Sequence, residues 1–463
     1  MVDRVGVGLV SYGSREVAIA DALLRSQKYK VELYVADRVR NPFNVKHSRK
    51  HAVISDLDPE KVCSFFSEYA GEIDFIVVGP EDPIIKGIRD IGEVKTGIPF
   101  ICPTKAYALE ASKVWQRQLL EQVMPEVNPR FRVFRKEDFD NIDEAKIALW
   151  KWLDELGDQA VVKPDGAARG KGVGVWGDHF TSREGLFEHF LSNYQFGSVI
   201  VEEKLIGEES SFMGLCDGAR LVPLPETRDY KRAFEGDTGP NTGGMGSYKD
   251  VYDWLPFMSR HDWELEFNIV QRLFKHLQGK TRNIGLLGLP FYVAFMHTAS
   301  GPKILEVNSR PGDPEIQNIL PILKDDLVDL CFSILDGNLK NVNVEQKATV
   351  VIYKVPPTYG GKEPQYSGGR LVNLAKAEAL AAVKRDKLRV YPGALELKDD
   401  KTYALTSRTV CAVGIGESLE EARALSLDCI NAVEGGNLWY RMDIASREHV
   451  QKSIEHMRLL RRQ

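Results

Sequence analysis

Short apolar runs separated by amphipathic stretches fill the first hundred positions of the chain. The runs Val5–Val10, Val31–Val35, Ile73–Val78 and Ile98–Cys102 are typical of buried strands, and REVAIADALL has the spacing of a helix. Strands that alternate with helices favour a parallel sheet, whose ligand groups lie at the carboxyl ends of its strands. The pattern therefore predicts a Rossmann-like N-terminal domain.

The turn SYGSR joins the first predicted strand to this helix. A small-residue turn at the start of a helix leaves backbone N–H groups that point at one spot, which suits a phosphate. Gly6 and Gly8 lie inside the strand, and the third glycine of a dinucleotide fingerprint is missing. The sequence therefore supports a dinucleotide site only weakly.

A helical stretch at Leu109–Val123 is followed by the strand Ala160–Pro164 and the small-residue segment DGAARGKGVGVW. This segment is not a Walker loop, because Lys171 is followed by Gly172 and not by Ser or Thr. We interpret it as a mobile β-hairpin that folds over phosphates. Lys163, on the strand that leads into it, supplies a fixed ammonium.

The segment SVIVEEKLIGEESSF has the pattern strand, break, strand, with acids in pairs at Glu202, Glu203, Glu208 and Glu209. One interpretation is a solvated acidic face. The alternative is functional: the break from Glu203 to Leu205 offers backbone groups to an adenine edge, and Glu209 binds the ribose hydroxyls.

Asp237–Tyr248, with the sequence DTGPNTGGMGSY, contains four glycines and is predicted to be a loop of unusual backbone freedom. Alone, such a run is typical of a surface turn. It lies between two charged stretches, ETRDYKR and LEVNSRPGDPE. Together with the lysine and glycine hairpin, these stretches are predicted to enclose a nucleotide phosphate chain and an activated carboxylate.

The strand Ile304–Asn308 carries the most specific metal chemistry. Side chains alternate along a strand, so Glu306 and Asn308 share one face. One anionic and one neutral oxygen donor suit a hard cation that keeps waters and phosphate oxygens. Arg310 follows and can point at the charge on a transferred phosphoryl group. The alternative is a strand-end turn in which Arg310 and Asp313 pair.

From about Asn341 the pattern changes to short strands, followed by a helix at Leu419–Val433. This region is predicted to be an α+β lobe that closes over the site. Ser418 and Glu421 have the spacing of a capping box. The tail from Ser446 to Gln463 has the pattern of an amphipathic helix.

Composition narrows the functional classes. The 463 residues include 61 Lys and Arg against 66 Asp and Glu, a formal net charge of −5, which argues against a nucleic acid as the main partner. The six cysteines and nine histidines show no metal-ligand spacing, so we expect no zinc site and reduced cysteines in a cytoplasmic protein. No apolar run predicts a membrane span or a signal peptide.

Nearly the whole chain resembles the glycinamide ribonucleotide synthetase family, ATP-grasp ligases of purine synthesis. The resemblance is carried, in order, by SREVAIADAL, VVGPEDPIIKGI, CPTKAYALEASK, VVKPDGAARGKGV, VIVEEKLIGEESSF, DTGPNTGGMGSY and LEVNSRPGDPEIQ. It implies a multidomain α/β and α+β protein: an N-terminal substrate domain at 1–108, a two-lobed ATP-grasp core at 109–340 and a C-terminal domain at 341–463. The mobile small lobe of the core would span about 128–204.

The resemblance also implies an activity: ATP converts glycine to a glycyl phosphate, and the amine of phosphoribosylamine displaces phosphate. It assigns roles to many residues. ATP-binding positions are Lys113, Lys163, Gly170, Lys171, Gly172, Glu202, Glu203 and Glu209, and Mg²⁺ or Mn²⁺ ligands are Glu306 and Asn308. Substrate-binding positions are Gly13, Ser14, Arg15, Glu16, Gly79, Pro80, Glu81 and Asn241, and catalytic positions are Asp229, Lys231 and Arg310.

Three departures from the family pattern qualify this expectation. The family turn GNGGREHA is SYGSREVA here, which introduces the bulky Tyr12. The family's PGNAGT is replaced by DRVRNPFNVKH, whose basic residues Arg38, Arg40 and Lys46 are candidates to restore phosphate contacts. RFGDPE has become RPGDPE, and Pro311 stiffens the loop.

Two alternatives remain open at this point. The first is an ATP-grasp ligase for another amino acid or another amine, since two of the three departures lie on the amine side. The second is a catalytically silent nucleotide-binding protein. The sequence leaves the oligomeric state open between a monomer and a small homo-oligomer.

Overall fold

The computed structural model describes residues 3–166, 172–362 and 368–462, with only the backbone at positions 289 and 290. The chain groups into two compact units, each built from separate segments. The first unit comprises Met1–Ala108, Ser210–Val293 and Asn308–Glu455; the second comprises Leu109–Glu209, Ala294–Val307 and His456–Gln463. The three domain boundaries and the mobile lobe derived from the sequence stay predictions.

The N-terminal segment forms the predicted parallel sheet, with strand order β3-β2-β1-β4-β5. Its strands are β1 (Asp3–Ser11), β2 (Tyr29–Asp37), β3 (Ser48–Val53), β4 (Phe75–Val78) and β5 (Phe100–Ile101). The sequence prediction missed β3. This edge strand, SRKHAV, is half-buried or exposed throughout and so has no apolar run to mark it.

Five helices connect these strands: α1 (Ser14–Leu24), α2 (Pro42–His47), α3 (Pro59–Ser67), α4 (Glu81–Ile85) and α5 (Ile88–Thr96). A buried core that includes Val10, Tyr34, Phe66, Ile76 and Phe100 fixes the sheet against its helices. The carboxyl ends of β1 and β4 therefore hold their turns in place, and both turns carry predicted site residues.

The second unit contains an antiparallel sheet of order β6-β9-β7-β8 beside three helices. The elements are α6 (Lys113–Val123), β6 (Phe131–Phe134), α7 (Ile142–Leu156), β7 (Ala160–Pro164), β8 (Gly174–Val175), α8 (Arg183–Tyr194) and β9 (Val199–Glu203). Ser112, Asn141 and Ser182 cap the three helices through their side chains. Phe134, Leu149 and Phe190 belong to the buried core that joins the sheet to the helices.

The next part of the chain contains β10 (Glu208–Cys216), β11 (Leu221–Pro223), β12 (Arg228–Asp229), β13 (Arg232–Phe234), β14 (Thr238–Asn241), β15 (Gly246–Lys249), α9 (Arg260–Gln278), β16 (Gly288–Thr298) and β17 (Gly301–Asn308). One sheet has the order β11-β10-β16-β17. The break predicted between two strands at Glu203–Leu205 is confirmed by the ends of β9 and the start of β10.

The glycine-rich segment Asp237–Tyr248 is not a loop throughout, which corrects the sequence prediction. β14 pairs with β13, and β15 pairs with the later strand β18 (Ala348–Lys354). Only the residues between β14 and β15 form the connecting turn. The glycines are therefore distributed between strand pairing and a short turn, and backbone contacts hold the segment in place.

The remaining elements are α10 (Ile316–Ile319), α11 (Leu327–Asp336), β19 (Arg370–Asn373), α12 (Ala375–Val383), β20 (Leu388–Pro392), β21 (Leu395–Lys398), β22 (Lys401–Ala404), β23 (Val410–Gly416), α13 (Leu419–Asn431), β24 (Glu434–Gly435) and α14 (Arg447–Leu460). Two sheets have the orders β12-β15-β18-β23-β20 and β21-β22-β19-β24. The strand-rich C-terminal pattern and the terminal helix are thus confirmed.

The predicted capping box of α13 is half correct. Ser418 accepts a hydrogen bond from the Glu421 N–H, but the Glu421 carboxylate accepts from the N–H of Glu417 and not of Ser418. In the part of the chain that the structure describes, no helix has the length and apolar character needed to cross a bilayer.

Candidate active site

The turn after β1 is organised around Glu16. Its Oε2 accepts hydrogen bonds from the backbone N–H groups of Tyr12 and Gly13, at 3.2 and 2.9 Å, and its Oε1 accepts from Arg15 Nε at 2.6 Å. Burial raises the pKa of Glu16, against the opposing Arg15 charge. Two of the backbone donors that the sequence assigned to a phosphate therefore already have a carboxylate partner. This corrects the idea that they are free.

The turn after β4 packs onto the same glutamate. A Cβ at Gly79 would lie 2.0 Å from Glu16 Oε1, so no other residue fits there without displacing this carboxyl group. Pro80 precedes α4 as its N-cap, and Glu81 is its first residue. The structure thus brings the predicted positions in the two turns together.

Glu81 lies between two guanidinium groups. Its Oε2 is 3.8 Å from Arg15 Nη2 and 3.8 Å from Arg310 Nε. Arg15 and Arg310 also both donate to the carbonyl oxygen of Pro311, at 3.0 and 3.2 Å. Two guanidinium groups and two acidic side chains, Glu16 and Glu81, therefore converge, although their positions lie far apart in the sequence. Such a cluster suits an anionic substrate.

Asp313 does not pair with Arg310 in the way that the simple turn interpretation required. Arg408 Nη2 donates to Asp313 Oδ2 at 2.7 Å, and Tyr353 OH donates to Asp313 Oδ1 at 2.7 Å. The Ser14 hydroxyl hydrogen-bonds Tyr353 OH. Burial alone would raise the pKa of Asp313, but the charges of Arg408 and Arg15 outweigh it and lower that pKa.

Arg408 and Tyr353 were missed by the sequence reasoning. They lie in the strand-rich C-terminal part, which the sequence analysis interpreted as a closing lobe, and neither belongs to one of the chemical motifs quoted for the resemblance. A strand pattern says which side chains are buried but not which distant loop they reach. No local signal marks these two residues.

The catalytic candidates Asp229 and Lys231 lie in and after β12. The Lys231 carbonyl oxygen accepts from the N–H and hydroxyl groups of Thr242, at 2.7 and 2.9 Å. A Cβ at Gly244, whose φ is +109°, would lie 2.7 Å from Asp229 Oδ1. The glycine run is therefore held close to Asp229. Asn241 ends β14, where it pairs with Arg232.

In the second unit, Glu202 is the centre of a buried ion cluster. Arg117 donates to its two carboxylate oxygens at 2.6 and 3.0 Å, and Lys163 Nζ lies 2.7 Å from Oε2. Burial alone would raise the pKa of Glu202, but Arg117 and Lys163 outweigh it and lower that pKa to about 2. Glu202 is therefore an anion that holds the Lys163 ammonium in place.

Burial lowers the pKa of Lys163, and the Arg117 charge acts in the same direction. Glu202 and Glu306 oppose this change. Glu306 is thus within electrostatic range of Lys163, as expected if both face one ligand. A further anion near this ammonium would raise its pKa again.

Each of the remaining predicted nucleotide-binding residues has a different local environment. Lys113 donates to the carbonyl oxygen of Gly166, Glu203 accepts from the Arg130 N–H at 2.8 Å, and Glu209 lies half-buried in β10. Gly172 has φ +77°, and its carbonyl oxygen contacts His189 Nε2 at 2.8 Å. Gly170 and Lys171 lie outside the described residues.

The strand β17 is fixed by helix α6. Arg117 donates to the carbonyl oxygens of Ile304 and Leu305, and Gln116 exchanges two hydrogen bonds with the backbone of Val307. Alternation along β17 puts Glu306 and Asn308 on one face of the strand.

The donor set fits a magnesium-like cation. Glu306 and Asn308 supply oxygen atoms only, and the described residues contain no group of three or more His, Cys, Asp or Glu that would hold a metal ion. A cation here would complete its shell with water and phosphate oxygens, as Mg²⁺ and Mn²⁺ do in phosphoryl-transfer sites. All six cysteines are buried, and burial raises the pKa of Cys216 to about 12. None is suited to act as a nucleophile.

Comparison with known proteins agrees with this geometry. Residues 5–110 match the family model described as phosphoribosylglycinamide synthetase, N domain, and residues 111–316 match the ATP-grasp (A) domain of the same family. The phosphoribosylamine–glycine ligase of Pyrococcus furiosus is 36% identical over 99% of this chain and 98% of its own length. That of Methanobrevibacter smithii is 37% identical over 97% and 98%.

Solved structures give the same result. The crystal structure of phosphoribosylamine–glycine ligase from Thermotoga maritima matches with a TM-score of 0.72 and 25% identity, over 95% of this chain and 100% of that one. N5-carboxyaminoimidazole synthetase from Staphylococcus aureus matches with a TM-score of 0.59 at 12% identity, over 92% and 97%. The second likeness concerns the fold alone.

Proposed function

Because this chain belongs to the phosphoribosylglycinamide synthetase family, we propose that it is the ATP-dependent ligase that joins glycine to phosphoribosylamine in purine synthesis. The products are glycinamide ribonucleotide, ADP and phosphate. The observation that carries the proposal is the buried cluster in which Arg117 and Glu202 hold Lys163, with Glu306 acting on the same ammonium.

The nucleotide half of the proposal rests on charge. A carboxylate that attacks a triphosphate brings like charges together, so fixed cations must offset them first. We assign ATP to Lys113, Lys163, Glu202, Glu203, Glu209 and the hairpin positions Gly170, Lys171 and Gly172. Because Glu202 orients the Lys163 ammonium before ATP binds, little reorganisation is needed when the phosphates arrive.

Glu306 and Asn308 are the proposed ligands of Mg²⁺ or Mn²⁺. When bound, the cation would neutralise phosphate charge. The protein's own part is to hold the two donors on one rigid strand face, which α6 supports through Arg117 and Gln116.

The acceptor half rests on the converging guanidinium groups. We assign phosphoribosylamine to Gly13, Ser14, Arg15, Glu16, Gly79, Pro80, Glu81 and Asn241, and glycine and its acyl phosphate to Asp229, Lys231 and Arg310. Of the former set, Gly13, Ser14, Glu16 and Gly79 make contacts that shape the turns. Arg15 and Glu81 supply charge.

The chemistry balances without a protein nucleophile. A glycine carboxylate oxygen bonds to the γ-phosphorus as ADP leaves, and the amine nitrogen then bonds to the carbonyl carbon as phosphate leaves with that oxygen. The amine loses one proton. Orientation of the amine against the acyl phosphate supplies up to ~7–11 kcal/mol. Water must be excluded because acyl phosphates hydrolyse.

The test is product formation with purified protein, Mg²⁺-ATP, radiolabelled glycine and phosphoribosylamine generated in the assay. Glycinamide ribonucleotide and ADP should appear in equal amounts, and omission of either substrate should abolish product. A panel of other amino acids and amines tests the alternative ligase, which the altered turn at Tyr12 motivates. Product with another pair, and none with this one, would refute the proposal.

We further propose that the protein acts in the cytoplasm, as a monomer or small homo-oligomer, without a nucleic-acid or membrane partner. The net charge of −5 supports the absence of a nucleic-acid partner. Sedimentation of the purified protein measures the oligomeric state directly. A heptamer or larger assembly would contradict it.

A further inference from the structure

Arg408 joins two segments that carry the proposed chemistry of the first unit. Its Nη1 donates to the carbonyl oxygens of Gly243 and Asp313, at 2.6 and 2.7 Å, and its Nη2 donates to Asp313 Oδ2 at 2.7 Å. Gly243 belongs to the glycine-rich run, and Asp313 follows Arg310 in RPGDPE. One side chain therefore connects positions 165 and 95 residues away from it.

The Arg408 side chain is itself held firmly. Its guanidinium lies over the Tyr353 ring, 4.9 Å from the centroid, and its side chain is 16% exposed. Burial alone would lower the pKa of Arg408, but the Asp313 carboxylate outweighs it and raises that pKa well above its ordinary value. A planar fork with two partners and an aromatic support has one preferred orientation, unlike a lysine ammonium.

The segments that Arg408 joins are packed too closely at Gly244 to admit a side chain. A Cβ at Gly244 would lie 2.6 Å from Pro314 Cδ and 2.7 Å from Asp229 Oδ1. The glycine run therefore fills the space between Asp229 and the turn after Arg310. The Gly243 N–H also donates to Tyr359 OH at 2.8 Å. Loss of a contact on one side of this run would let the spacing change.

We propose that Arg408 is a positioning residue for the ligase reaction. By holding the Gly243 carbonyl and Asp313 together, it sets the spacing between Asp229 and the turn that carries Arg310. The inference rests on the proposed function, since it concerns the same site. In this proposal Arg408 acts through these segments and not through contact with a reacting atom.

The test compares Arg408→Met with Arg423→Met. Arg423 lies in the same unit and also donates to two backbone carbonyls, those of Ile444 and Met442, but it contacts no site segment. Because a misplacement of about 1 Å can cost ~100-fold in rate, Arg408→Met should lower kcat by roughly 10- to 100-fold. The KM for ATP should change less than about twofold, since uniform binding is untouched. Arg423→Met should keep kcat at a similar loss of melting temperature.

Two further variants separate positioning from mere stability. Arg408→Lys keeps the charge but loses the fork, so it should restore only part of kcat. Because Arg408 acts through Asp313, Arg408→Met combined with Asp313→Asn should lose no more than the worse single variant.

Wild-type kcat in Arg408→Met, a full additive loss in the double variant, or a loss confined to the KM for phosphoribosylamine would each overturn the inference. The third outcome would make Arg408 a substrate ligand. These outcomes presuppose an active wild-type enzyme. An inactive wild type would instead count against the proposed function.

Discussion

Two buried glutamates, one in each unit, show how neighbours decide the charge of a carboxyl group. Glu202 is 2% exposed and Glu226 is fully buried. Glu202 has Arg117 and Lys163 as partners, and its pKa falls to about 2 against the effect of burial. Glu226 lies beside Glu266, another fully buried glutamate, and burial together with this neighbour raises its pKa well above the ordinary value.

This comparison shows that burial of a carboxyl group does not by itself identify a functional residue. Within the described part of the chain, no cation is among the causes that shift the Glu226 pKa. We interpret Glu226 as a neutral group in the core. Glu202, with two fixed cations, remains charged and can orient Lys163 for a phosphate chain. Of the two arrangements, only the one around Glu202, a charged carboxylate with fixed cations, is useful for phosphoryl transfer.

The largest effect is expected from removal of the main cation partner of Glu202. Arg117→Met would leave a buried carboxylate with Lys163 alone and would free the carbonyls of Ile304 and Leu305. Loss of one partner of a buried pair costs about 3–5 kcal/mol. Urea unfolding measures the free energy of unfolding.

Arg130→Met is the matched control for this variant. Arg130 is an exposed arginine of the same unit, whose partner Glu155 is 3.5 Å away, so its loss should cost under about 1 kcal/mol. Equal effects of the two substitutions would show that the Glu202 cluster contributes no more to the free energy of unfolding than an exposed ion pair does.

The next largest effect concerns Lys163. Lys163→Met should lower the ligase rate by about 100- to 1,000-fold, since removal of one preorganised group at developing charge typically costs ~2.7–4 kcal/mol. It should also reduce the rise in melting temperature that Mg²⁺-ATP produces. Lys151→Met, at an exposed position of α7, is the control. An unchanged thermal shift in Lys163→Met would remove this lysine from the proposed nucleotide site.

A smaller effect of opposite sign, a gain in the free energy of unfolding, is expected from the substitution Glu226→Gln. The unfolded chain ionises this group above its ordinary pKa of 4.5, while the folded chain keeps it protonated. The stability from protonated Glu226 is therefore fully present below pH 4.5 and is lost as pH rises toward the folded pKa. Glu226→Gln removes this loss, so it should raise the free energy of unfolding at pH 8 relative to that of the wild type.

The measurement is the free energy of unfolding from pH 5 to 8 for the wild type, Glu226→Gln and the control Glu264→Gln. Glu264 is a half-buried residue of α9 whose side chain is 47% exposed and pairs with Arg260. Glu226→Gln should flatten the pH dependence, and Glu264→Gln should not. A wild type whose stability does not fall relative to Glu226→Gln over this range would mean that Glu226 is ionised.

Most of the fold and part of the candidate site could be predicted from the sequence. Apolar runs and helical spacing located the parallel sheet, the break before β10 and the strand that carries Glu306, because these follow from local periodicity. β3 was missed because its residues are polar and half-buried. The glycine content of Asp237–Tyr248 predicts a loop, because it does not reveal that β14 pairs with β13 and β15 with β18.

The sequence did not predict which residues form ion pairs and hydrogen bonds with the candidate site residues. Lys163 and Glu202 are both predicted site residues, but nothing local shows that Arg117, forty-six positions before Lys163, shares Glu202 with it. Arg408 is a similar case, because its contacts are set by the packing of distant strands and turns. Tertiary packing chooses these ion pairs, and an alternation pattern contains no information about them.

The most direct test of the central proposal follows an oxygen atom. With glycine labelled by ¹⁸O in both carboxylate oxygens, ATP-dependent activation through an acyl phosphate transfers one labelled oxygen to each phosphate released. Mass spectrometry of the phosphate should therefore show one ¹⁸O per molecule formed, in step with glycinamide ribonucleotide. Phosphate without label, at full product yield, would contradict the account.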